Sequence, residues 1–269
     1  MKKTIGVIAH VDAGKTTFSE QLLFHTKSIK SLGRVDHQDA YLDNHELEKA
    51  RGITIFSEQG RFQYGGHTYT LIDTPGHVDF SPEMERAIRA MDYAIVIISA
   101  VEGIQGHTET VWQLLRQYHV PTFIFINKID REGADVSVVM QALQKEFSPN
   151  IVLVNNLADA AEFVAERNER LLEKFMEEAL TDEEIIRALQ HHIKQEEAFV
   201  AMQGAALKSI GVMEFFNILH QLTTTTYEES APFEADVVKI RHDGEQRLTF
   251  LKAKSGTLHV RDELSFHEV

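Results

Sequence analysis

The chain has 269 residues, no cysteine, a hydrophobic fraction of 43% and a formal net charge of −14. This suits one substantial globular α/β domain plus part of another. It excludes a disulfide framework and points away from general nucleic-acid affinity, while apolar runs such as Tyr93–Val101 are too short to span a bilayer.

Met1-Lys2-Lys3 runs straight into the first apolar stretch, so no secretory signal and a cytoplasmic location are expected. Thr4–Ala9 reads as a buried strand. The run Ala9-His10-Val11-Asp12-Ala13-Gly14-Lys15-Thr16 follows, and Thr17 to Leu23 carries a helical pattern. Strand, small-residue loop, Lys-Thr and helix together make a phosphate-binding loop, with Ala9 where the usual pattern has its first Gly. The expected cradle is Asp12, Ala13, Gly14, Lys15, Thr16 and Thr17. Its backbone N–H groups and the helix N-terminus offer positive partial charge to phosphates. Lys15 adds a full charge, and the Thr16 hydroxyl can ligate Mg²⁺.

Arg51-Gly52-Ile53-Thr54-Ile55 supplies a second hydroxyl, Thr54, able to complete Mg²⁺ coordination only when a γ-phosphate is present. Strands at Ile53–Gln63 and Thr68–Asp73 are joined by Tyr64-Gly65-Gly66-His67, a hairpin signal that makes the pair antiparallel. Asp73 closes the second of them as an outer-sphere Mg²⁺ partner, and Gly76 lets its N–H approach a γ-phosphate closely. Ser81-Pro82-Glu83 reads as N-cap, first helical position and acidic first turn.

A strand at Tyr93–Ser99, a helix at Thr108–Tyr118 and a strand at Thr122–Asn127 follow. The last leads into Asn127-Lys128-Ile129-Asp130, the pattern that reads guanine. The Asp130 carboxylate can accept from both N1–H and N2–H₂ of the base, whereas adenine offers no such donor pair. Asn127 can tie neighbouring loops together, and the Lys128 stem can cover the purine face. A helix fits Val136–Glu146. Between about 150 and 198 lies a helical insertion, where Leu171, Leu172, Phe175 and Met176, then Ile185, Ile186 and Leu189, mark two amphipathic helices. Their acidic outer faces read first as solvated surface, with docking to a basic partner as the alternative. Phe199–Gln203 and Met213–Leu222 give one more strand and helix. Thr223–Glu229 is a polar linker, after which Pro232–Ile240, Arg247–Ala253 and Leu258–Val260 alternate as strands. His10, His25, His45 and the His191-His192 pair read as structural, and no zinc pattern is present.

Together Ala9–Thr16, Arg51–Ile55, Asp73–His77 and Asn127–Asp130 resemble a translational GTPase of the elongation factor G type. The resemblance implies a P-loop GTPase domain at 1–225, α/β, with a mixed, mostly parallel six-stranded sheet covered on both faces. Residues 226–269 are then the first strands of an incomplete β-barrel, in a truncated chain or one whose barrel takes a partner strand. It implies GTP and GDP as ligands with Mg²⁺, Lys15, Thr54, Gly76 and His77 in catalysis, and His77 orienting the attacking water between the apolar Val11 and Ile53. Asp12 matches a position implicated in binding a monovalent cation. The fifth nucleotide segment falls at Gln203–Lys208, where Ala205-Ala206 replaces the family's Ser-Ala. The Ala206 N–H is then the contact to guanine O6, next to Leu207, and the missing Ala205 hydroxyl implies somewhat weaker affinity. A monomer working on the ribosome is implied, with ribosomal RNA met near His77 and the switch segments, and no membrane partner. The length of the insertion and the run Leu171-Leu172-Glu173-Lys174-Phe175-Met176 are similar to the tetracycline-resistance ribosomal protection proteins. A housekeeping translocation factor, or a GTP-dependent binding module with incidental hydrolysis, are the alternatives.

Overall fold

The computed structural model describes residues 1–29, 58–74, 81–243 and 246–264. The chain divides into two compact units, Met1–Thr224 and Thr225–Val269. In the first, the described strands are β1 (Lys2–Ala9), β2 (Glu58–Tyr64), β3 (His67–Asp73), β4 (Tyr93–Ser99), β5 (Thr122–Asn127), β6 (Ile151–Leu153) and β7 (Phe199–Gln203). They form one sheet in the order β2-β3-β1-β4-β5-β7-β6. All neighbours are parallel except β2 and β3. That pair turns at Gly65 and Gly66, whose φ values of 54° and 76° are those of a tight two-residue hairpin.

The sequence predicts six strands, and the structure has a seventh. β6 is Ile-Val-Leu at the sheet edge beside β7, too short for period-two alternation to register. The region expected to be a helical insertion therefore begins with a strand.

The described helices of this unit are α1 (Lys15–His25), α2 (Ser81–Arg89), α3 (Gly106–Gln117), α4 (Val136–Glu146), α5 (Ala161–Ala165), α6 (Glu169–Met176), α7 (Asp182–Lys194) and α8 (Val212–Leu222). Alternate strand residues Ile5, Val7, Tyr69, Leu71, Ile95, Ile97, Phe123 and Phe125 share one buried cluster with Phe18 of α1 and Phe215 and Phe216 of α8. The Phe18 ring centroid lies 4.9 Å from that of Phe125. The intervening residues Ile8, Ile72, Val96, Ile98, Ile124 and Ile126 are also buried. So are Met84 and Ile88 of α2, Val111 and Leu115 of α3, and Val139 and Leu143 of α4, and none of these joins the first cluster. The sheet is thus covered on both faces, as near-continuous apolar strands require. Each such side chain contributes about 1.5–3 kcal/mol on burial.

The two amphipathic helices of the insertion are unequal. α7 buries Ile185, Leu189 and Ile193, whereas α6 buries no side chain completely. An ion pair between Lys174 and Glu184 ties them together. The Lys174 hydrogen bond, with those from Thr181, holds the Glu184 carboxyl at a pKa of about 2.

β1 starts earlier than its apolar run suggests because Lys3, 1% exposed, is satisfied beyond α8. Its Nζ donates to the Thr223 carbonyl at 2.7 Å and to Thr223 Oγ1 at 2.9 Å. Burial lowers its pKa from 10.5 to about 8, with Asp92 pulling the other way. Between those values the unfolded chain retains a proton that the folded chain has lost, so stability rises with pH. The urea midpoint is expected to increase between about pH 8 and 10 and to lose that increase in Lys3→Met. An unchanged pH dependence in the variant would assign the effect elsewhere. Above pH 10 the opposite contribution begins, because burial pushes the Tyr69 hydroxyl above its ordinary 10.0.

In the second unit β8 (Glu234–Asp243) and β9 (Gln246–Ser255) pair antiparallel, with register shifts at Glu234/Ala235 and Val237/Lys239. Leu258–Val260, expected as a further strand, forms none, and Val260 is 92% exposed. The described strands of this unit pair with each other, and Leu258–Val260 joins no ladder of backbone hydrogen bonds with them.

Candidate nucleotide-binding site

β1, β3, β4, β5 and β7 run in the same direction, so Ala9, Asp73, Ser99, Asn127 and Gln203 end along one edge of the sheet. Open α/β sheets bind ligands outside that edge. The segments that follow β1, β3, β5 and β7 are those singled out in the sequence.

The first is the phosphate-loop segment. Asp12 and Gly14 adopt left-handed φ values of 64° and 98° on either side of Ala13, whose N–H donates to the His10 carbonyl at 3.2 Å. A side chain at position 14 is doubly forbidden: the φ disfavours it, and a Cβ there would lie 2.3 Å from Asn127 Nδ2. α1 then starts at Lys15 with no side-chain cap, leaving first-turn N–H groups facing out of the helix end. Thr16 and Thr17 are half-buried in that turn. Lys15 is buried and forms an ion pair with Asp73. The other oxygen of this fully buried carboxylate accepts from Ser19 Oγ at 3.2 Å. Sequence reasoning missed Ser19, although its place one turn after Lys15 on α1 is the signal that finds it.

Asn127 ties three segments together. Its Nδ2 donates to the Ala13 carbonyl at 2.8 Å, and its Oδ1 accepts from the Ala206 N–H at 2.8 Å. The Ala206 N–H, expected to face guanine, is therefore engaged by Asn127 in this structure. The Ala205 backbone is braced without a hydroxyl. Its N–H donates to the Ile210 carbonyl at 3.0 Å and its carbonyl accepts from the Ile210 N–H at 3.1 Å. Leu207 is half exposed.

Lys128 holds a left-handed φ of 64°, and its Nζ lies 3.3 Å from both carboxylate oxygens of Glu102. Asp130 pairs with Lys208 Nζ at 3.0 Å, and that hydrogen bond holds the Asp130 carboxyl below its ordinary range. Neither Glu102 nor Lys208 stands out in the sequence as a charge partner, because each meets its partner across two loops. His10 is buried, with Nε2 3.4 Å from Glu102 Oε2. Burial lowers its pKa, against the pull of Glu102.

Val11, expected beside His77, is 40% exposed. Ile53, Thr54, Gly76 and His77 lie outside the described residues. Among the described residues no three His, Cys, Asp or Glu side chains gather to hold a metal. The Thr16 hydroxyl and Asp73 carboxylate are hard oxygen donors, too few for an all-protein cage but fitting an Mg²⁺ ion shared with phosphates. Among the described residues no helix is long and apolar enough to cross a membrane.

Comparison with known proteins places the chain in a family. Tetracycline resistance protein TetM from transposon Tn1545 of Enterococcus faecalis is 36% identical over 287 aligned residues, covering 98% of this chain and 44% of that protein. TetW of Butyrivibrio fibrisolvens is 35% identical over 277 residues, covering 97% and 43%. The chain thus spans less than half the length of these relatives. A crystal structure of a protein from Thermus thermophilus superposes with a TM-score of 0.84 at 21% identity, over 94% of this chain and 45% of that one, which establishes a shared fold. Residues 2–225 match the elongation factor Tu GTP binding domain, and the chain belongs to that family of GTP-binding domains.

Proposed function

We propose that this chain is the GTP-binding and GTP-hydrolysing part of a ribosome-associated translational GTPase of the ribosomal protection type, which releases tetracycline from the ribosome. The observation that carries this reading is the Asn127 side chain, which holds a phosphate loop and a guanine-reading loop at one sheet edge. The kinship with the two tetracycline resistance proteins supports the narrower assignment.

In this reading Asp130 accepts from guanine, Lys128 covers the base, and Ala205, Ala206 and Leu207 line its far side. The phosphates lie against the N–H groups of Asp12 to Thr17, and Lys15 stabilises the charge that develops on them. Thr16 and Thr54 would hold Mg²⁺, with Asp73 behind them, and the ion when bound neutralises phosphate charge. Asp12 is the candidate ligand for a monovalent cation. Thr54 and Gly76 sense the γ-phosphate, and the ribosome positions His77 to orient water for in-line attack. The protein acts as a cytoplasmic monomer, and ribosomal RNA meets the face that carries His77.

The test pairs binding with turnover. His77→Ala is expected to keep GDP affinity within about two-fold and to lose ribosome-stimulated hydrolysis by about 100-fold or more. The assay is single-turnover GTP hydrolysis with and without ribosomes, in a protein carrying the full length seen in the relatives. Undiminished stimulated turnover in the variant would defeat the proposed role.

A further inference from the structure

Glu102 sits in the segment after β4, between the phosphate loop and the guanine-reading loop. Its backbone is pinned there. The Glu102 and Val101 N–H groups donate to Ser99 Oγ, each at 3.3 Å, and its carbonyl accepts from Gln105 Nε2 at 2.9 Å. The carboxylate points two ways. Both oxygens lie 3.3 Å from Lys128 Nζ, and Oε2 also meets His10 Nε2 at 3.4 Å. His10 stands in the phosphate loop, 8% exposed, and among the described residues its Nδ1 finds no hydrogen-bond partner. The contact to Glu102 is therefore the polar tether of that ring. Lys128 holds its backbone at a φ of 64°, in a region that favours glycine, and the Glu102 contact fixes where its Nζ ends.

We propose that Glu102 is a positioning residue that fixes Lys128 where its stem covers the guanine face and ties the base-reading loop to the phosphate loop through His10. This rests on the guanine-reading role proposed above for Lys128 and Asp130. The effect belongs to the base end of the ligand, which GTP and GDP share, so it acts on both affinities alike and not on the chemical step.

The experiment measures GDP, GTP and ADP affinities by calorimetry for the parent, Glu102→Gln, Glu102→Lys, Lys128→Met and the Glu102→Gln/Lys128→Met double variant. Glu102→Gln is expected to weaken GDP and GTP by one common factor of about three to ten. Glu102→Lys, which repels Lys128, is expected to weaken them further. The double variant is expected to lose less than the product of the two single losses, because much of the Glu102 effect runs through Lys128. His10→Phe is expected to cost a smaller factor and to be non-additive with Glu102→Gln. Parent-like affinity in both Glu102 variants overturns the proposal, as does a double-variant loss equal to the product of the single losses. A parent that binds ADP as tightly as GDP removes the guanine-reading premise itself, and the inference falls with it. A parent that prefers GDP while the Glu102 variants bind normally sinks the positioning role alone.

Discussion

Replacing Asp130 by Ala is expected to weaken GDP binding by about 100-fold or more while leaving ADP binding within a few-fold of its starting value. The asymmetry follows from what the carboxylate can do. Guanine presents two adjacent donors, N1–H and N2–H₂, to one acceptor group, and each charge-assisted bond contributes about 1.5–3 kcal/mol. Adenine has no matching pair and gains nothing from Asp130. The structure adds a reason for the effect to be large. Asp130 is 14% exposed on its side chain and is already held as a carboxylate by Lys208 at 3.0 Å, so in the proposed role it would meet the base in the ionised, acceptor-only form. The variant also leaves Lys208 beside the base with no carboxylate to pair with, which opposes the donor edge of guanine. Calorimetry with GDP and ADP on parent and variant decides the matter. A variant that still prefers GDP by more than about ten-fold would show that selectivity resides elsewhere, with the Ala205–Leu207 turn the next candidate.

How much of this is legible in the sequence depends on what each residue's partner is. The strands β3, β4, β5 and β7 end where their apolar runs end, because burial on both faces makes the run and the strand the same object. Gly14 and Asn127 are both legible as loop residues, and the structure supplies the link between them: the Asn127 amide fills the place a Cβ would occupy on Gly14. Other features escape. β6 is three residues long and takes its identity from β7 rather than from its own pattern. Lys3 looks like a terminal charge in the sequence, and the hydrogen bonds it gains from Thr223 after α8, with the pull of Asp92, make its burial tolerable. Ser19, Glu102 and Lys208 carry no local signal of their roles, since polar residues at loop ends and on helices are usually solvated. α3 shows the same limit at smaller scale. The sequence pattern puts its first residue at Thr108, but Thr108 serves as the third position of a capping box opened by Gln105, so the helix starts at Gly106. Sequence reading fails where function or stability depends on a side chain crossing from one element to another, because no window along the chain contains both partners.

Lys15→Met is expected to damage the protein twice, and the two losses can be separated. Lys15 and Asp73 form an ion pair between side chains 8% and 0% exposed. Removing one member of such a pair takes the buried counter-charge away from the other, at a cost of about 3–5 kcal/mol. The ligand-free variant is therefore expected to unfold at a markedly lower urea concentration than the parent. Nucleotide binding falls for a different reason, the loss of a full positive charge at the phosphates, where a drop of about 100-fold or more is expected. The double variant Lys15→Met/Asp73→Asn distinguishes the effects. Replacing the Asp73 carboxylate by an amide removes the buried charge and keeps an acceptor for Ser19, so most of the lost stability is expected to return. Binding is not expected to return, because the amide does nothing for the phosphates. Equilibrium unfolding and calorimetry on the same three proteins, parent, single and double variant, read the two quantities independently. Recovery of both stability and nucleotide affinity in the double variant would show that Lys15 acts on the ligand only by neutralising the charge of Asp73. Full stability in Lys15→Met alone would show that water reaches the carboxylate freely once the lysine is gone. The expected pattern, stability restored without affinity, assigns Lys15 two partners in sequence: the carboxylate of Asp73 before nucleotide binds, and the phosphates once it arrives.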